Sequence, residues 1–568
     1  MDPSSDSTVV ALTGQLAMVL LIAVPLAMLV SLILLGFYLR AVKRSMARRA
    51  DPAASQQAAA APADTFAQSP PSQLPQIVFV EPGGAAEPRG AAHALARRAS
   101  IARWQAATIY VIAGLGYGAT MAALYLYAHG IGFLPVRFAF TALCFAWPLV
   151  LSIGLVAAIS WRGWLATIGV YALILAVVVA PTISEQATWS HALLFWALIS
   201  IPGTLIVLPF LARRIRAVGP MVLAFMIAFV GGATVHMNLI GTDLARIRMV
   251  VEWTDVLGLD AVQTIYAMML TGALLLGAVG WVLLRALAAL YRARKISDQS
   301  MIVDSIWFMF AVKDGMDLAF AGPRWFLAAF GAFAVYKGIA MLGYRAARRR
   351  DRAEADPRLL LLRVFSLGKR SERLFDRFGK LWRYVGSIHL IAGPDLAKTT
   401  VEPHEFLEFL TGRLARRFIT GPDTLARRFS ETKPQRDFDG RYRVSDFFCH
   451  DDTWKMVLRR LARESDAVLM DLRGFEPSNK GCIFEINELF NVVPLDRIVF
   501  VIDSTTDEAF LRETFARSWL LMQADSPNLR ASESRIYVCR LAGSGYAGVP
   551  ALVRGVAAAA SRSGHTIG

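Results

Sequence analysis

Long apolar segments dominate the first three hundred residues of the chain. The first, from Val9 to Leu39, carries no charged residue and exceeds the roughly 20 residues that a bilayer-spanning helix needs. It follows Asp2 and Asp6 rather than a basic region, and it is too long for a cleaved signal peptide, so we interpret it as a retained anchor. The whole pattern predicts an α-helical polytopic membrane domain. Six further apolar segments lie near residues 106–128, 138–160, 164–184, 191–212, 220–237 and 261–287.

Basic residues predict the orientation of these segments. Clusters of arginine and lysine follow the first, fifth and seventh segments, and such clusters mark the cytoplasmic ends of membrane spans. All of them fall on the cytoplasmic side if the N-terminus lies outside the cell. We therefore expect a multi-pass protein of the cell inner membrane with a cytoplasmic C-terminal domain. The clusters are Arg40, Lys43 and Arg44; Arg213, Arg214 and Arg216; and Arg292, Arg294 and Lys295.

Residues 301–346 fit this orientation poorly. A first apolar stretch there is too short to cross and contains Asp304, whereas a second is long enough despite Arg324 and Lys337. A single crossing would place the C-terminal third outside the cell, which the basic run from Arg345 to Arg352 opposes. We favour a re-entrant or surface-lying helical pair and keep an extra span as the alternative. The total is then about seven or eight spans.

The pattern of hydrophobic and polar residues changes at Pro357. Short, nearly continuous apolar runs alternate there with amphipathic helical stretches, which is typical of a parallel sheet covered by helices on both faces. We expect a doubly wound, mostly parallel, Rossmann-like α/β domain. The candidate strands are residues 359–365, 386–393, 442–448, 466–472, 497–503 and 535–541.

Five domains are predicted in chain order. Residues 1–50 form a transmembrane anchor with a basic flank, and residues 51–100 form a disordered linker rich in Ala and Pro, a composition that buries no core. Residues 101–300 form a six-helix transmembrane domain, and residues 301–356 form a membrane-associated helical pair or extra span with a basic linker. Residues 357–568 form the cytoplasmic α/β domain.

Composition narrows the classes of function. The chain is 55% hydrophobic and only 18% charged, so it is not a wholly soluble protein, and a lipid bilayer is its expected surrounding. Its net charge is +16, but most of the surplus lies in the apolar part, so we expect no nucleic-acid partner. The four cysteines form no CxxC pair, and no metal site or cofactor is expected. The predicted spans contain few ionisable residues, which counts against a transporter.

The densest group of candidate site residues follows the strand at 466–472. Asp471 and Arg473 leave the strand at its carboxyl end, where ligands of parallel sheets gather, and Glu485 lies one helical turn beyond Gly481. A fixed carboxylate there can stabilise an oxocarbenium-like transition state during cleavage of a glycosidic bond. The alternative is structural: Asp471 or Glu485 pairs with Arg473 and holds the loop.

A second candidate binding site follows the first strand. Ser366 ends that strand, and the helix that follows begins near Lys369 and Arg370, so its free backbone N–H groups would hold an anion beside these cations. The alternative is an ordinary capped turn with solvated charges. Cys482 stands at another helix start, where we interpret it as a small packed residue rather than a nucleophile. In the membrane part, Pro202 interrupts an apolar segment and indicates either a kinked helix or a broken helix at a substrate site.

The order of strands and helices, the start RVFS and the stretch DAVLMDLRGFEPSNKGCIFEINELFNVVPLDRIVFVID resemble a TIR domain. The resemblance covers roughly residues 359–503 and is specific mainly in residues 466–503. It implies a catalytic glutamate at Glu485, NAD as a substrate cleaved at the nicotinamide–ribosyl bond, and self-association through the cytoplasmic domain. The chain departs from enzymatic members in having Gly481 and Cys482 where an aromatic residue often stands, and in a sixth strand.

Three hypotheses of function follow. The first is membrane-bound signalling or defence, with NAD cleavage controlled by assembly. The second is a non-catalytic ligand-sensing or protein-interaction module on a membrane anchor. The third is a transporter with a regulatory domain.

Overall fold

The structure is a computed structural model in which the chain divides into two compact units. The helical unit comprises Met1–Tyr38, Ala106–Ala347 and Val401–Glu408, and the sheet unit comprises Leu39–Gln105, Arg348–Thr400 and Phe409–Gly568. The structure describes residues 3–46, 76–80, 91–157, 159–184, 188–212, 215, 218–241, 243–322, 324–348, 357–363, 369–392, 403–431, 435–530, 535–541 and 548–562.

Helices make up nearly all of the described chain before Pro357. In chain order they are α1 (Pro3–Met46), α2 (Ala91–Ala128), α3 (Pro135–Phe145), α4 (Pro148–Val156), α5 (Trp161–Val179), α6 (Trp189–Val207), α7 (Gly219–Gly241), α8 (Leu244–Val256), α9 (Ala261–Arg292), α10 (Asp298–Ala319) and α11 (Trp325–Arg348).

Seven of the described helices are long and apolar enough to cross a membrane, so the chain is a multi-pass membrane protein. The segment predicted near residues 138–160 is instead the pair α3 and α4, bent by 49°, which counts as an eighth span if the pair crosses once. The prediction of a polytopic helical region is confirmed. The seven spans are Leu21–Met46, Arg97–Ala128, Trp161–Thr182, Trp189–Leu211, Met221–Gly241, Ala261–Arg292 and Trp325–Arg348.

Small residues allow α7 and α9 to pack closely. A Cβ added at Gly272 would lie 2.4 Å from the carbonyl oxygen of Gly232, and one added at Gly232 would lie equally close to the carbonyl oxygen of Gly272. Apolar helices in lipid associate through such close backbone approach, since lipid removes the hydrophobic driving force between them.

The helix α10 differs from the short apolar stretch expected near residue 304. It has 22 residues and a length of about 33 Å at 1.5 Å per residue, which matches the hydrocarbon thickness of a bilayer. Asp304 lies within it, and the side chains of Lys337 and Tyr336 on α11 donate hydrogen bonds to its carboxylate. Two of the three charges that count against crossing in the sequence, Asp304 and Lys337, are thus paired with each other inside the helical unit.

Eight strands form one parallel sheet in the sheet unit. They are β1 (Gln76–Val80), β2 (Arg358–Arg363), β3 (Ser387–Ala392), β4 (Phe418–Ile419), β5 (Val444–Cys449), β6 (Ala467–Asp471), β7 (Ile498–Ile502) and β8 (Arg535–Arg540), in the order β1-β8-β7-β6-β2-β3-β5-β4. The predicted α/β architecture is confirmed. The helices after β2 are α12 (Lys369–Trp382), α13 (Pro403–Leu410), α14 (Pro422–Glu431), α15 (Trp454–Glu464), α16 (Lys480–Val492), α17 (Glu508–Leu520) and α18 (Val549–Ser561).

Helices cover both faces of this sheet, which explains the continuous apolar strands. On β2, Leu359 and Leu361 belong to one buried layer with residues of α12 and α18. Leu360 and Leu362 belong to the opposite layer with residues of α15, α16 and α17. Side chains alternate along a strand, so a strand enclosed on both faces is apolar at most positions.

Two parts of the linker predicted over residues 51–100 form regular secondary structure. Gln76–Val80 forms β1, which pairs in parallel with β8, and α2 begins at Ala91. The strand sequence QIVFV is rich in β-branched and aromatic residues, which favour strands. The surrounding Ala- and Pro-rich composition concealed this local preference.

Candidate functional site

The candidate site lies where the chain reverses direction across the sheet. The strand β2 lies between β3 and β6, and Arg363 at the end of β2 is in register with Asp471 at the end of β6. Numbering β2, β3, β5, β6, β7 and β8 from one to six gives the spatial order 3-2-1-4-5-6. The reversal therefore falls between β2 and β6, and ligands of open parallel sheets bind outside the carboxyl ends of the strands at such a point.

Asp471 and Arg473 form a buried ion pair at this edge. The guanidinium donates two hydrogen bonds, from Nε to Oδ1 at 2.8 Å and from Nη2 to Oδ2 at 2.7 Å. The backbone N–H of Arg473 also donates to Oδ1 at 3.2 Å, and Gly474 follows with a positive φ of 65° that suits glycine. The pair holds the loop after β6, which is the structural alternative predicted for Arg473. Both carboxylate oxygens of Asp471 are occupied by these hydrogen bonds.

Glu485 occupies a different environment on α16. Its side chain is 2% exposed, and Oε2 has no hydrogen-bond partner among the residues that the structure describes. Burial raises the pKa of this carboxyl to about 8, because the charged form is deprived of water. Buried polar groups without a partner are uncommon in proteins and frequently mark functional sites.

The neighbouring Glu488 provides a direct comparison on the same helix. Arg459 donates to both of its carboxylate oxygens, from Nε at 2.5 Å and from Nη2 at 2.9 Å. This bidentate pair joins α15 to α16 and gives Glu488 a structural role. Of these two carboxylates one turn apart, Glu485 is therefore the one with an oxygen left for a ligand.

Cys482 attaches the start of α16 to the end of β2. Its buried sulfur lies 3.8 Å from the carbonyl oxygen of Arg363, and it belongs to the apolar layer beneath the helix, as expected of a packed residue. Glu485 follows three positions later and therefore shares its face of the helix. Long side chains on a helix tend to point toward its N-terminus, and that end of α16 lies beside the end of β2. No described atom lies within 4 Å of a Cβ built on Gly481, which leaves open space beside the first turn.

The predicted anion site after β2 stays a prediction. Ser366 lies outside the described residues. Lys369 and Arg370 are the first two residues of α12, and only their backbone is described.

Sequence reasoning missed Asp503, which follows β7 at the same edge of the sheet. Its Oδ1 accepts hydrogen bonds from the backbone N–H of Thr505 at 2.9 Å and from its hydroxyl at 2.5 Å. The hydroxyl of Thr506 donates to the carbonyl of Leu472 at 3.1 Å and so ties together the loops after β6 and β7. The signal was present, because Asp503 ends an apolar strand just as Asp471 does.

Two further findings concern metal binding and the similarity of this chain to known proteins. Within the part of the chain that the structure describes, no group of three or more His, Cys, Asp or Glu side chains is placed to hold a metal ion. Comparisons with protein-family models, with curated proteins and with solved structures find no match to this chain. The chemistry of the site is therefore argued from its own residues.

Proposed function

We propose that this multi-pass membrane protein carries a cytoplasmic TIR-like domain that cleaves NAD between nicotinamide and ribose, with Glu485 as the catalytic residue. The observation that carries the proposal is the buried Glu485 carboxyl, which has an oxygen without a partner among the described residues. Its helix begins beside the end of β2, at the point where the sheet order reverses. The order 3-2-1-4-5-6 supports a dinucleotide ligand, since sheets of this order bind dinucleotides there.

The reaction requires a group that stabilises positive charge on the ribose. The bond between the ring nitrogen of nicotinamide and C1′ breaks, both bonding electrons leave with nicotinamide, and an oxocarbenium ion forms at the ribose. The ionised carboxylate of Glu485 stabilises this ion. A water molecule then adds to C1′ and loses a proton, which yields ADP-ribose.

Binding of the substrate favours the protonation state of Glu485 that the reaction requires. Burial keeps the carboxyl protonated up to a pKa of about 8 in the empty site. The nicotinamide ring of NAD carries a positive charge, and an opposite charge nearby favours the ionised carboxylate. Substrate binding therefore promotes the form of Glu485 that catalysis needs.

The cellular setting completes the proposal. The basic clusters described above orient the chain with the sheet unit in the cytoplasm of an inner-membrane protein. The TIR resemblance supports membrane-bound signalling or defence, in which self-association of the domain controls turnover. Activity should then increase more steeply than protein concentration does.

Release of nicotinamide by the full-length chain in lipid nanodiscs tests the proposal. The wild type should release nicotinamide, and Glu485→Gln should lower the rate by at least about 100-fold, the usual effect of removing one group that stabilises the transition state. The matched control is Glu488→Gln, which removes the neighbouring carboxylate of the Arg459 pair and should keep the activity. The readout is the rate at several protein densities per nanodisc.

Two results would contradict NAD cleavage. One is a folded wild type that releases no nicotinamide at any density, and the other is Glu485→Gln with wild-type turnover. The function would then be the ligand-sensing or interaction module, which the Asp471–Arg473 pair favours because it occupies the other acidic group of the site. Binding of NAD without product would identify that module.

A further inference from the structure

A charged network lies inside the helical unit, independent of the site described above. The Nζ of Lys313 on α10 donates to Asp317 Oδ2 at 2.6 Å and lies 3.4 Å from Asp314 Oδ1. The hydroxyl of Tyr117 on α2 donates to Asp314 Oδ2 at 2.7 Å. Ionisable groups at membrane depth are costly to bury, and proteins keep them mainly for function.

A cavity of about 890 Å³ opens beside this network. Lys313 and Asp317 line it together with Tyr125 and His129, and the remaining lining is apolar. The side chain of Asp317 is 31% exposed, whereas that of Lys313 is 6% exposed. The carboxylate of Asp317 is therefore the more accessible of the two charged groups in the lining. The volume falls within the range of pockets for organic ligands.

Two prolines interrupt the backbone hydrogen bonding of helices that line the same cavity. Pro25 of α1 and Pro202 of α6 both line it, and so do Leu21 and Leu198, each four residues before a proline. A proline has no N–H group, so the carbonyls of Leu21 and Leu198 lose their usual helical donors. In addition, the carbonyl of Ile199 accepts a hydrogen bond from Lys313 at 2.6 Å. Kinked helices with freed carbonyls form cation sites in membrane proteins.

The charge and the shape of the cavity select the kind of ligand. Of the two charged side chains, Lys313 and Asp317, that line the cavity, the carboxylate of Asp317 is the more exposed, so a cation finds its partner there. The cavity wall includes the aromatic rings of Tyr125, Phe195 and Phe320, whose faces attract cations.

Part of the cavity lining lies at the surface of the helical unit. Three leucines of its lining are exposed, namely Leu21 at 74%, Leu198 at 62% and Leu205 at 62%. Exposed leucines on a membrane helix face the acyl chains, so a ligand that dissolves in the bilayer reaches the cavity directly.

We propose that this cavity binds an amphipathic organic cation, with its charged group at Asp317 and its apolar body against the aromatic wall. The proposal concerns the helical unit alone and does not rest on NAD cleavage. It also supports a membrane part that handles a ligand, because Lys313 and Asp314 are hydrogen-bonded to Ile199 and Tyr117, which lie within two of the candidate spans.

A matched pair of ions tests the proposal. Tetraphenylphosphonium and tetraphenylborate have nearly the same size and shape and opposite charge. Equilibrium dialysis against the full-length chain in nanodiscs, with empty nanodiscs subtracted, measures the saturable binding of each ion. We expect saturable binding of the cation and none of the anion.

Variants of α10 assign the binding to the cavity. Asp317→Asn should weaken cation binding at least tenfold, whereas Asp317→Glu, which keeps the charge, should retain it. Asp304→Asn is the matched control, because Asp304 lies on the same helix, is bonded to Lys337 and Tyr336, and does not line the cavity. Equal binding of both ions, no saturable cation binding, or unchanged binding in Asp317→Asn would overturn the proposal. The cavity would then be a crevice for lipid acyl chains.

Discussion

Replacement of Glu485 by Gln should remove the pH dependence of stability that this residue creates. Burial raises the pKa of the folded-state carboxyl to about 8, against an ordinary value of 4.5. Between these values the folded chain keeps the proton and the unfolded chain releases it, so the unfolded state binds fewer protons. Stability therefore decreases as pH rises from about 4.5 to about 8 and becomes constant above that range.

The magnitude follows from the linkage relation. Each pH unit within this window lowers the free energy of unfolding by about 1.4 kcal/mol. From pH 6 to pH 8 the wild type should lose about 2.3 kcal/mol relative to Glu485→Gln, whose amide does not titrate, because the folded-state carboxyl is already half ionised at pH 8. Over the full window the difference is about 5 kcal/mol, an amount comparable to the whole stability of a small domain.

Urea unfolding with brief proteolysis measures this difference in the full-length chain. The protein stays in nanodiscs, a short pulse of protease digests only unfolded molecules, and a C-terminal tag reports the sheet unit that survives. The urea midpoints of wild type and Glu485→Gln at pH 6, 7 and 8 then give the difference in free energy. Other titrating groups cancel because both proteins contain them.

A constant difference between the two proteins across this pH range would refute the reasoning. It would mean that the Glu485 carboxyl is ionised in the fold and therefore has a partner or water at Oε2. Glu488→Gln serves as the control, since it breaks the pair with Arg459 and tests whether loss of any carboxylate on α16 produces the slope.

Three further outcomes are expected. If ionised Glu485 is catalytic, kcat/KM for NAD should rise with pH through a midpoint near 8, because this parameter reports the free enzyme; a flat profile from pH 6 to 9 would contradict that role. Burial lowers the pKa of His389 to about 4, so stability should fall by about 3 kcal/mol as pH decreases from 6.5 to 4, and urea unfolding of His389→Leu should lack this loss. If α10 and α11 each cross the membrane, an impermeant maleimide added outside cells should label Ala321→Cys but not Arg348→Cys. The four native cysteines are buried, so their background labelling should be low. Labelling of both variants or of neither would contradict two crossings.

The strands of the sheet unit were largely predictable. The apolar run at 466–472 became β6 and the run at 497–503 became β7, because strands buried on both faces are apolar at most positions. Two strands were not predictable. β4 has only two residues, and β1 pairs with β8, a partner more than four hundred residues away along the chain. Pairing over such distances depends on the tertiary fold, which local pattern does not contain.

The positions of the site residues were predictable, but their pairing was not. Asp471 and Glu485 were located from the end of a strand and the start of a helix, which sequence pattern indicates well. The choice of Asp471 as the partner of Arg473 depends on a tight turn in which Gly474 has a positive φ. The five acidic and basic residues between positions 471 and 485 allow several pairings, and only the course of the loop selects one.

The charged residues of α10 show what hydropathy alone omits when it is applied to residues 301–346. A hydropathy scale counts every charged side chain as unfavourable in lipid. Inside the helical unit, however, Asp304 accepts hydrogen bonds from Lys337 and Tyr336. Asp314 accepts one from Tyr117. Asp304 and Lys337, each counted against crossing, satisfy one another between two helices. Two crossings by α10 and α11 would also leave the basic residues near 292 and near 348 on the same side of the membrane. The positive-inside rule requires that placement, and a single crossing forbids it.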